Sequence, residues 1–398
     1  MEISKSNRIH IGLFGRTNVG KSTIFNLIAG QDIAIISDIS GTTTDVIEKS
    51  LELSTIGPIV IFDTAGIDDT SILGKERKLK TNKVFSRCDV ACIIIENNIW
   101  TDFEEQLENK FKEEKIPFLI IINDKLLNND STLIKQLNHP NIIYNINKTR
   151  DQFLKEFTEV LHNKLYIELL EKEITIFNNI LKGKQVCIFV TPIDSGAPKN
   201  RLIMPQVHAL RAALDINVIS LIVQPSELLE TLNLLKKSPN LIVCDSQVVK
   251  YVVDNIPNNI RVTTFSMLFS RLKGDIFEEL KGANIIEELS KDDKILIAEA
   301  CSHHSQKDDI GTVKIPNLLR NYLGFTPRIE YINGHEFPED IDKYKLIIHC
   351  GACMLTRTEK LNRINRAKSA GVAISNYGMV ISYLNGYLKR VSEVFEQV

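Results

Sequence analysis

Residues 15–22 read Gly-Arg-Thr-Asn-Val-Gly-Lys-Ser, directly after the apolar run Ile-His-Ile-Gly-Leu-Phe at 9–14. The octet fits the Walker A pattern G-x-x-x-x-G-K-S, and its setting between a strand-like run and a helix that starts near Lys21 gives the match its weight. Gly15 and Gly20 let the backbone turn tightly, so that peptide N–H groups and a helix N-terminus meet phosphate. Lys21 supplies a point charge to the β and γ phosphates, and Ser22 offers a hydroxyl to Mg2+. Downstream, Ile-Val-Ile-Phe leads into Asp63-Thr64-Ala65-Gly66. Here Asp63 is placed to hold Mg2+ through water and Gly66 to sense the γ-phosphate. Between these stretches the Gly/Thr-rich segment 37–45, SDISGTTTD, reads as a switch loop, with Thr43 closing on Mg2+.

Working outward, short apolar runs (DVACIII, FLIII) alternate with helical patterns. LELSTIGPIVIFDTAG reads as a hairpin. Such alternation predicts a mostly parallel sheet. Four more strand-like runs, VCIFV, NVISLIV, LIVCD and RVTTF, fall between 184 and 272, and a third group follows Lys273-Gly274-Asp275. The expected architecture is α/β in three domains: a P-loop nucleotide-binding fold over 1–165, then two smaller parallel-sheet α/β domains over 166–272 and 273–398. Apolar residues at 43% and charged residues at 25% are ordinary for a globular chain of 398 residues. A net charge of −2 lacks the basic footprint of a nucleic-acid binder. No apolar run approaches the ~20 residues of a membrane span, and no leader is visible at the N-terminus. A cytoplasmic protein that contacts neither nucleic acid nor membrane is expected.

The chain has seven cysteines. Cys88, Cys92, Cys187 and Cys244 lie in apolar runs and read as core residues. Cys301, Cys350 and Cys353 sit among histidines, glycines and polar residues at the ends of two strand-like runs, KILIAEA and KLIIH. Ligands collect beyond the carboxyl ends of strands in α/β sheets, so the three sulfurs converge if those strands are parallel neighbours. His303, His304, Asp308 and Asp309 share the loop after Cys301, and His349 precedes Cys350. From residue types alone an iron–sulfur cluster, a Cys3His zinc site and a redox dithiol all fit.

The nucleotide stretches resemble the translation-factor-like GTPases that modify tRNA or assist ribosomes (the TrmE-Era-EngA group), in particular its potassium-activated members. That resemblance implies GTP held by Asn18, Val19, Gly20, Lys21, Ser22 and Thr23 with Asp63 and Asn123. It makes Asn18 a K+ ligand and Lys21, Thr43, Asp63 and Gly66 the catalytic set. Ile67 stands where Ras-like enzymes place a water-positioning Gln, which leaves K+ to stabilise the transition state. One departure is plain. The guanine-reading N-K-x-D is Asn123-Asp124-Lys125-Leu126 here, and the Ser-Ala-Lys element corresponds at best to Ile146-Asn147-Lys148.

GRTNVGKS together with TPIDSGAPKNRLIMPQ (191–206), DSQVV (245–249) and CSHH…HCGACM resembles the HydF family, scaffold GTPases of FeFe-hydrogenase maturation. The resemblance implies GTPase, dimerisation and cluster-binding domains, and a 4Fe-4S cluster on Cys301, Cys350 and Cys353. It further implies a transient di-iron precursor passed to apo FeFe-hydrogenase, two radical-SAM maturases as partners, and a homodimer built through the middle domain, where the DSGAPKNRLIMPQ loop is read as interface. GTP binding and hydrolysis then modulate partner contacts. Asp308 is the first choice for the fourth ligand, because a hard carboxylate on soft iron is readily displaced. His303 and His349 are rivals or outer-shell donors, and Arg357 is placed to steady an anionic precursor. The competing reading is a tRNA- or ribosome-directed GTPase with a zinc-binding C-terminal domain.

Overall fold

The structure is a computed structural model that describes residues 5–30, 46–53, 56–64, 81, 84–126, 139–166, 176–193, 202–300 and 309–396. The chain divides into two compact units, Met1–Glu173 and Ile174–Val398.

The first unit is built on a six-stranded sheet of β1 (Ile9–Phe14), β2 (Ile47–Leu53), β3 (Gly57–Asp63), β4 (Val90–Glu96), β5 (Phe118–Asn123) and β6 (Asn141–Tyr144), in the order β2-β3-β1-β4-β5-β6. Only β2 and β3 pair antiparallel, as the predicted hairpin; the other pairs are parallel. The central strands β1, β3, β4 and β5 are largely apolar because both of their faces are covered, whereas the edge strand β2 carries Glu48, Lys49 and Glu52. Leu13, Ile61, Cys92, Ile94 and Ile121 pack on one side with Phe25 and Phe153. Phe14, Phe62, Ile93 and Ile120 pack on the other with Phe111. These covering phenylalanines come from α1 (Lys21–Ala29), α2 (Asp102–Glu113) and α3 (Arg150–Val160). Capping boxes start α2 (Thr101 with Glu104) and α3 (Thr149 with Gln152), satisfying N–H groups that a helix start would otherwise leave unpaired.

The chain leaves β1 toward β2 and β3 on one side, and from β4 it proceeds to the other. The carboxyl ends of β1 and β4 therefore flank the switch point, where an open α/β sheet binds its ligand. The P-loop occupies that place.

The second unit holds two four-stranded parallel sheets. One has β7 (Val186–Val190), β8 (Ile219–Val223), β9 (Leu241–Cys244) and β10 (Val262–Thr264) in the order β10-β9-β7-β8. The other has β11 (Lys294–Glu299), β12 (Arg328–Asn333), β13 (Leu346–His349) and β14 (Ala373–Asn376) in the order β12-β11-β13-β14. Between and around them run α4 (Met204–Asp215), α5 (Leu228–Leu234), α6 (Val249–Asn255), α7 (Phe265–Lys273), α8 (Ile276–Asn284), α9 (Ile315–Leu323), α10 (Arg357–Ser369), α11 (Tyr377–Leu384) and α12 (Leu388–Glu396). The expected α/β architecture, a P-loop fold followed by parallel-sheet units, is the one observed.

Helix α11 joins the cores of the two sheets, with Val380 and Ile381 packing against Ile295 and Ile348 of the second and Met379 reaching the first. Met379 of α11 and Val391 and Phe395 of α12 pack with Phe189, Val243 and Phe265 of the first sheet. Gly282 is required where α8 crosses β14, because a Cβ there would run into the Ile374 carbonyl. Cys88, Cys92, Cys187 and Cys244 are fully buried, as expected, and burial pushes each thiol well above its ordinary range.

Candidate functional site

The phosphate loop is shaped by backbone conformations that few residues adopt. Asn18 has φ +63° and Gly20 φ +100°. A Cβ on Gly20 would strike Nδ2 of Asn123, the amide that donates to the Val19 carbonyl at 2.9 Å. Asn123 thus ties the end of β5 to the loop, and only glycine lets it pass. Lys21 curls over its own loop, donating to the carbonyls of Gly15 (3.0 Å) and Arg16 (2.6 Å). Ser22 Oγ donates to Asp63 Oδ2 at 2.7 Å. Asp63 is 1% exposed, and its other oxygen, Oδ1, is buried with no hydrogen-bond partner among the described residues. Burial raises the Asp63 carboxyl, against the lowering pull of Ser22 and Lys21. A buried acceptor without a donor is costly. A hydrated cation beside Ser22 and Asp63 meets that need, so the residues present fit Mg2+.

Val19 is buried, and Thr23 lies on the first turn of α1. Thr43 and Gly66 lie outside the described residues. On the base side, Lys125 Nζ donates to the Asn18 carbonyl at 3.3 Å and pairs with Glu96 at 3.3 Å. The lysine that reaches the P-loop therefore stands two residues after Asn123, where the family pattern has it one residue after. Asp124 is buried, with its N–H donating to the Tyr144 carbonyl, and Leu126 is 63% exposed. Lys148 is held by the Ile143 carbonyl and by Glu156, both at 2.6 Å.

The second unit repeats the switch-point logic. β11 connects outward to β12 and β13 to β14, while β11 and β13 are parallel neighbours. At the crevice between their carboxyl ends, Cys350 Sγ accepts from the N–H groups of Ala300 (3.1 Å) and Ala352 (3.4 Å). Ala352 takes a left-handed φ of +55°, which turns the chain tightly between the two cysteines. Burial lifts the Cys350 thiol to about 11, with the two backbone donors pulling the other way. Burial also lifts Cys353, opposed by Lys273. N–H donors aimed at a sulfur favour thiolate, so this donor set fits a metal-bound cysteine. Cys301, His303, His304 and Asp308 lie outside the described residues. Among the described residues no three His, Cys, Asp or Glu side chains converge as a metal site. Asp309 caps the segment Ile310–Lys314, accepting from Thr312 N at 2.7 Å.

His349 is 1% exposed. Its Nε2 faces Arg363 Nη1 at 3.0 Å. A guanidinium only donates, so Nε2 accepts and Nδ1 carries the proton, donating to the Cys350 carbonyl at 2.8 Å. Burial and Arg363 hold His349 down to about 3, so the ring is neutral. Arg363 also meets Glu359 (3.2 Å) and the Gly334 carbonyl (3.0 Å), and Glu359 meets His335 at 3.0 Å. His335, isolated in the sequence, is thus the outer end of a buried network reaching Cys350. Tyr377 donates to Glu299 Oε1 at 3.0 Å, and both groups crowd Gly311, where a Cβ would collide with them. Arg357 donates to the Leu272 carbonyl. Sequence reading missed Glu299, Arg363 and Tyr377; Glu299 and Tyr377 are signalled only as a carboxylate and a hydroxyl at the ends of apolar runs, and Arg363 by nothing local.

Two family models cover this unit: the hydrogen maturase F dimerization domain over 176–274 and its tetramerization domain over 277–394. The chain belongs to the hydrogen maturase F family. A third model, that of a 50S ribosome-binding GTPase, matches residues 10–124, and the first unit is a P-loop GTPase domain. Coxiella burnetii tRNA modification GTPase MnmE is 35% identical over 146 residues, 36% of this chain and 32% of the relative. Campylobacter hominis GTPase Der is 38% identical over 112 residues, 28% and 24% respectively. The chain thus spans about a third or less of the length of these curated relatives. Among solved structures, Aquifex aeolicus Era bound to GDP and aluminium fluoride matches 54% of this chain and 92% of its own, at 16% identity and a TM-score of 0.34. No described helix is long and apolar enough to cross a membrane.

For this hydrogen maturase F chain, Gly20→Ala is expected to weaken binding of a fluorescent GDP analogue at least ~10-fold. The left-handed φ alone costs about 1–3 kcal/mol, and ~1.4 kcal/mol is tenfold in affinity. Wild-type affinity would mean that the loop and Asn123 shift freely.

Proposed function

We propose that the protein is a GTP-hydrolysing scaffold of FeFe-hydrogenase maturation. It binds a 4Fe-4S cluster and carries a di-iron precursor to apo-hydrogenase, having received it from two radical-SAM maturases. The observation that carries this reading is the Cys350 sulfur, seated under two backbone donors between β11 and β13, in a chain whose residues 176–274 and 277–394 match hydrogen maturase F models. Cys301, Cys350 and Cys353 hold the cluster, and Asp308 is the displaceable fourth ligand. His349 acts behind them, since both of its ring nitrogens are engaged by Arg363 and by the Cys350 backbone. The cluster, when bound, supplies an iron open to exchange. The chain's own part is to keep the sulfurs in place and His349 neutral.

In the first unit Ser22 and Asp63 hold Mg2+, Lys21 and the loop N–H groups bind phosphate, and Asn18 holds K+. Hydrolysis shifts affinity for partners, because a switch must favour one of two states to couple sites. A homodimer forms through the edge strand β8, whose Ile219 and Ile222 are 54% and 56% exposed; an unpaired apolar edge invites pairing with a second copy.

Anaerobic reconstitution is expected to give a brown protein with about four irons per chain and a reduced-cluster EPR signal, weakened or lost in Cys353→Ser. One zinc per colourless chain would instead favour the tRNA- or ribosome-directed reading. The reconstituted protein should also capture a radical-SAM maturase differently when loaded with GTP and with GDP; equal capture sinks the switch.

GTP turnover should be faster in potassium than in sodium buffer, and Asn18→Ala should erase the difference. Equal wild-type rates in the two salts would remove potassium from the mechanism. In light scattering, Ile222→Glu is expected to halve the mass of the wild-type assembly, and an unchanged mass would place the interface elsewhere.

A further inference from the structure

The segment after β5 stands where a P-loop GTPase meets the base of its nucleotide, and it is held from several sides. Asn97, the residue after β4, accepts on Oδ1 from Leu126 N–H at 3.2 Å and donates its own N–H to the Asn123 carbonyl at 3.0 Å. One residue thus clamps both ends of Asn123–Leu126. Lys125 Nζ lies between the Asn18 carbonyl and the Glu96 carboxylate, 3.3 Å from each. Asp124 is 5% exposed, and its N–H is given to the Tyr144 carbonyl.

In N-K-x-D the closing aspartate accepts from the N1–H and 2-amino donors of guanine. Counted three residues on from Asn123, that position is Leu126; counted two residues on from the lysine that reaches the phosphate loop, it is Leu127, which lies outside the described residues. Both are leucine, so neither register supplies a carboxylate. Leu126 is 63% exposed, which leaves a 2-amino group beside it to water rather than to a protein acceptor. A donor that keeps its water neither gains a protein hydrogen bond nor suffers the cost of an unmade one. The Asn123 amide has two N–H donors, one of them given to the Val19 carbonyl. The purine atom that can accept the other, N7, is common to guanine and hypoxanthine.

We infer that this GTPase domain does not read the 2-amino group and takes guanine and hypoxanthine nucleotides with equal affinity. Strong rejection of an analogue comes from a site whose buried polar group is left unpaired by it, and two leucines carry no such group. The inference rests on the P-loop GTPase assignment and is independent of the scaffold reading.

The test is displacement of a fluorescent GDP analogue from the full chain by GDP and by inosine diphosphate, which lacks only the 2-amino group. Wild type is expected to bind the two within about threefold of each other. A carboxylate placed in the right register accepts a charge-assisted hydrogen bond from that group. One of the two variants Leu126→Asp and Leu127→Asp is therefore expected to prefer GDP by at least about tenfold. A wild-type preference for GDP beyond threefold overturns the inference, and so does a wild-type ratio in both aspartate variants. A wild-type chain that does not bind the GDP analogue at all overturns the nucleotide site itself.

Discussion

A parallel sheet covered on both faces has nowhere to put polar chemistry except the ends of its strands. The central strands of this protein obey that constraint. Strands such as Val90–Glu96 and Leu346–His349 are apolar until their last residue, and the charged or sulfur-bearing side chain arrives where the strand stops. The switch points then select which ends matter. In the first unit they are β1 and β4, and the phosphate loop leaves β1. In the second they are β11 and β13, whose following residues bring Ala300 N–H to the Cys350 sulfur. One topological rule, applied twice, makes a phosphate site and a sulfur site in a single chain.

The sulfur crevice is supported by charges that solvent does not reach. Arg363 joins His349, Glu359 and the Gly334 carbonyl, so one guanidinium gathers the end of β13, the body of α10 and the loop after β12. Removing one member of such a buried set leaves the others uncompensated, which costs more than the set contributes as a whole. Its value lies in definition. It fixes the His349 tautomer and, through the Cys350 carbonyl, the peptide that presents the sulfur.

The fold was legible because apolar runs of strand length, separated by helical patterns, leave few alternatives, and the hairpin of β2 and β3 announced itself through alternation and Gly57. The phosphate loop was legible because Gly15, Gly20, Lys21 and Ser22 are contiguous. The support of the cysteines was not. Arg363, Glu299 and Tyr377 lie far from Cys350 in sequence, and nothing local marks an arginine on a charged helix like α10 as buried. The base-side loop shows the same limit. Lys125 reaches the Asn18 carbonyl from a position that motif spacing assigns to no role, because a side chain of that length tolerates a one-residue offset that a pattern does not.

The place of the C-terminal helices in the first sheet's core carries a further meaning. Helices α11 and α12 close the chain, yet Met379, Val391 and Phe395 fill space against β7, β9 and α7, encoded more than a hundred residues earlier. The first sheet cannot shed these helices without baring its apolar surface. During synthesis, the first sheet must therefore wait for the C-terminal helices before its interior is sealed. The last residues of the chain are thus what close the interior of a sheet that begins at Val186.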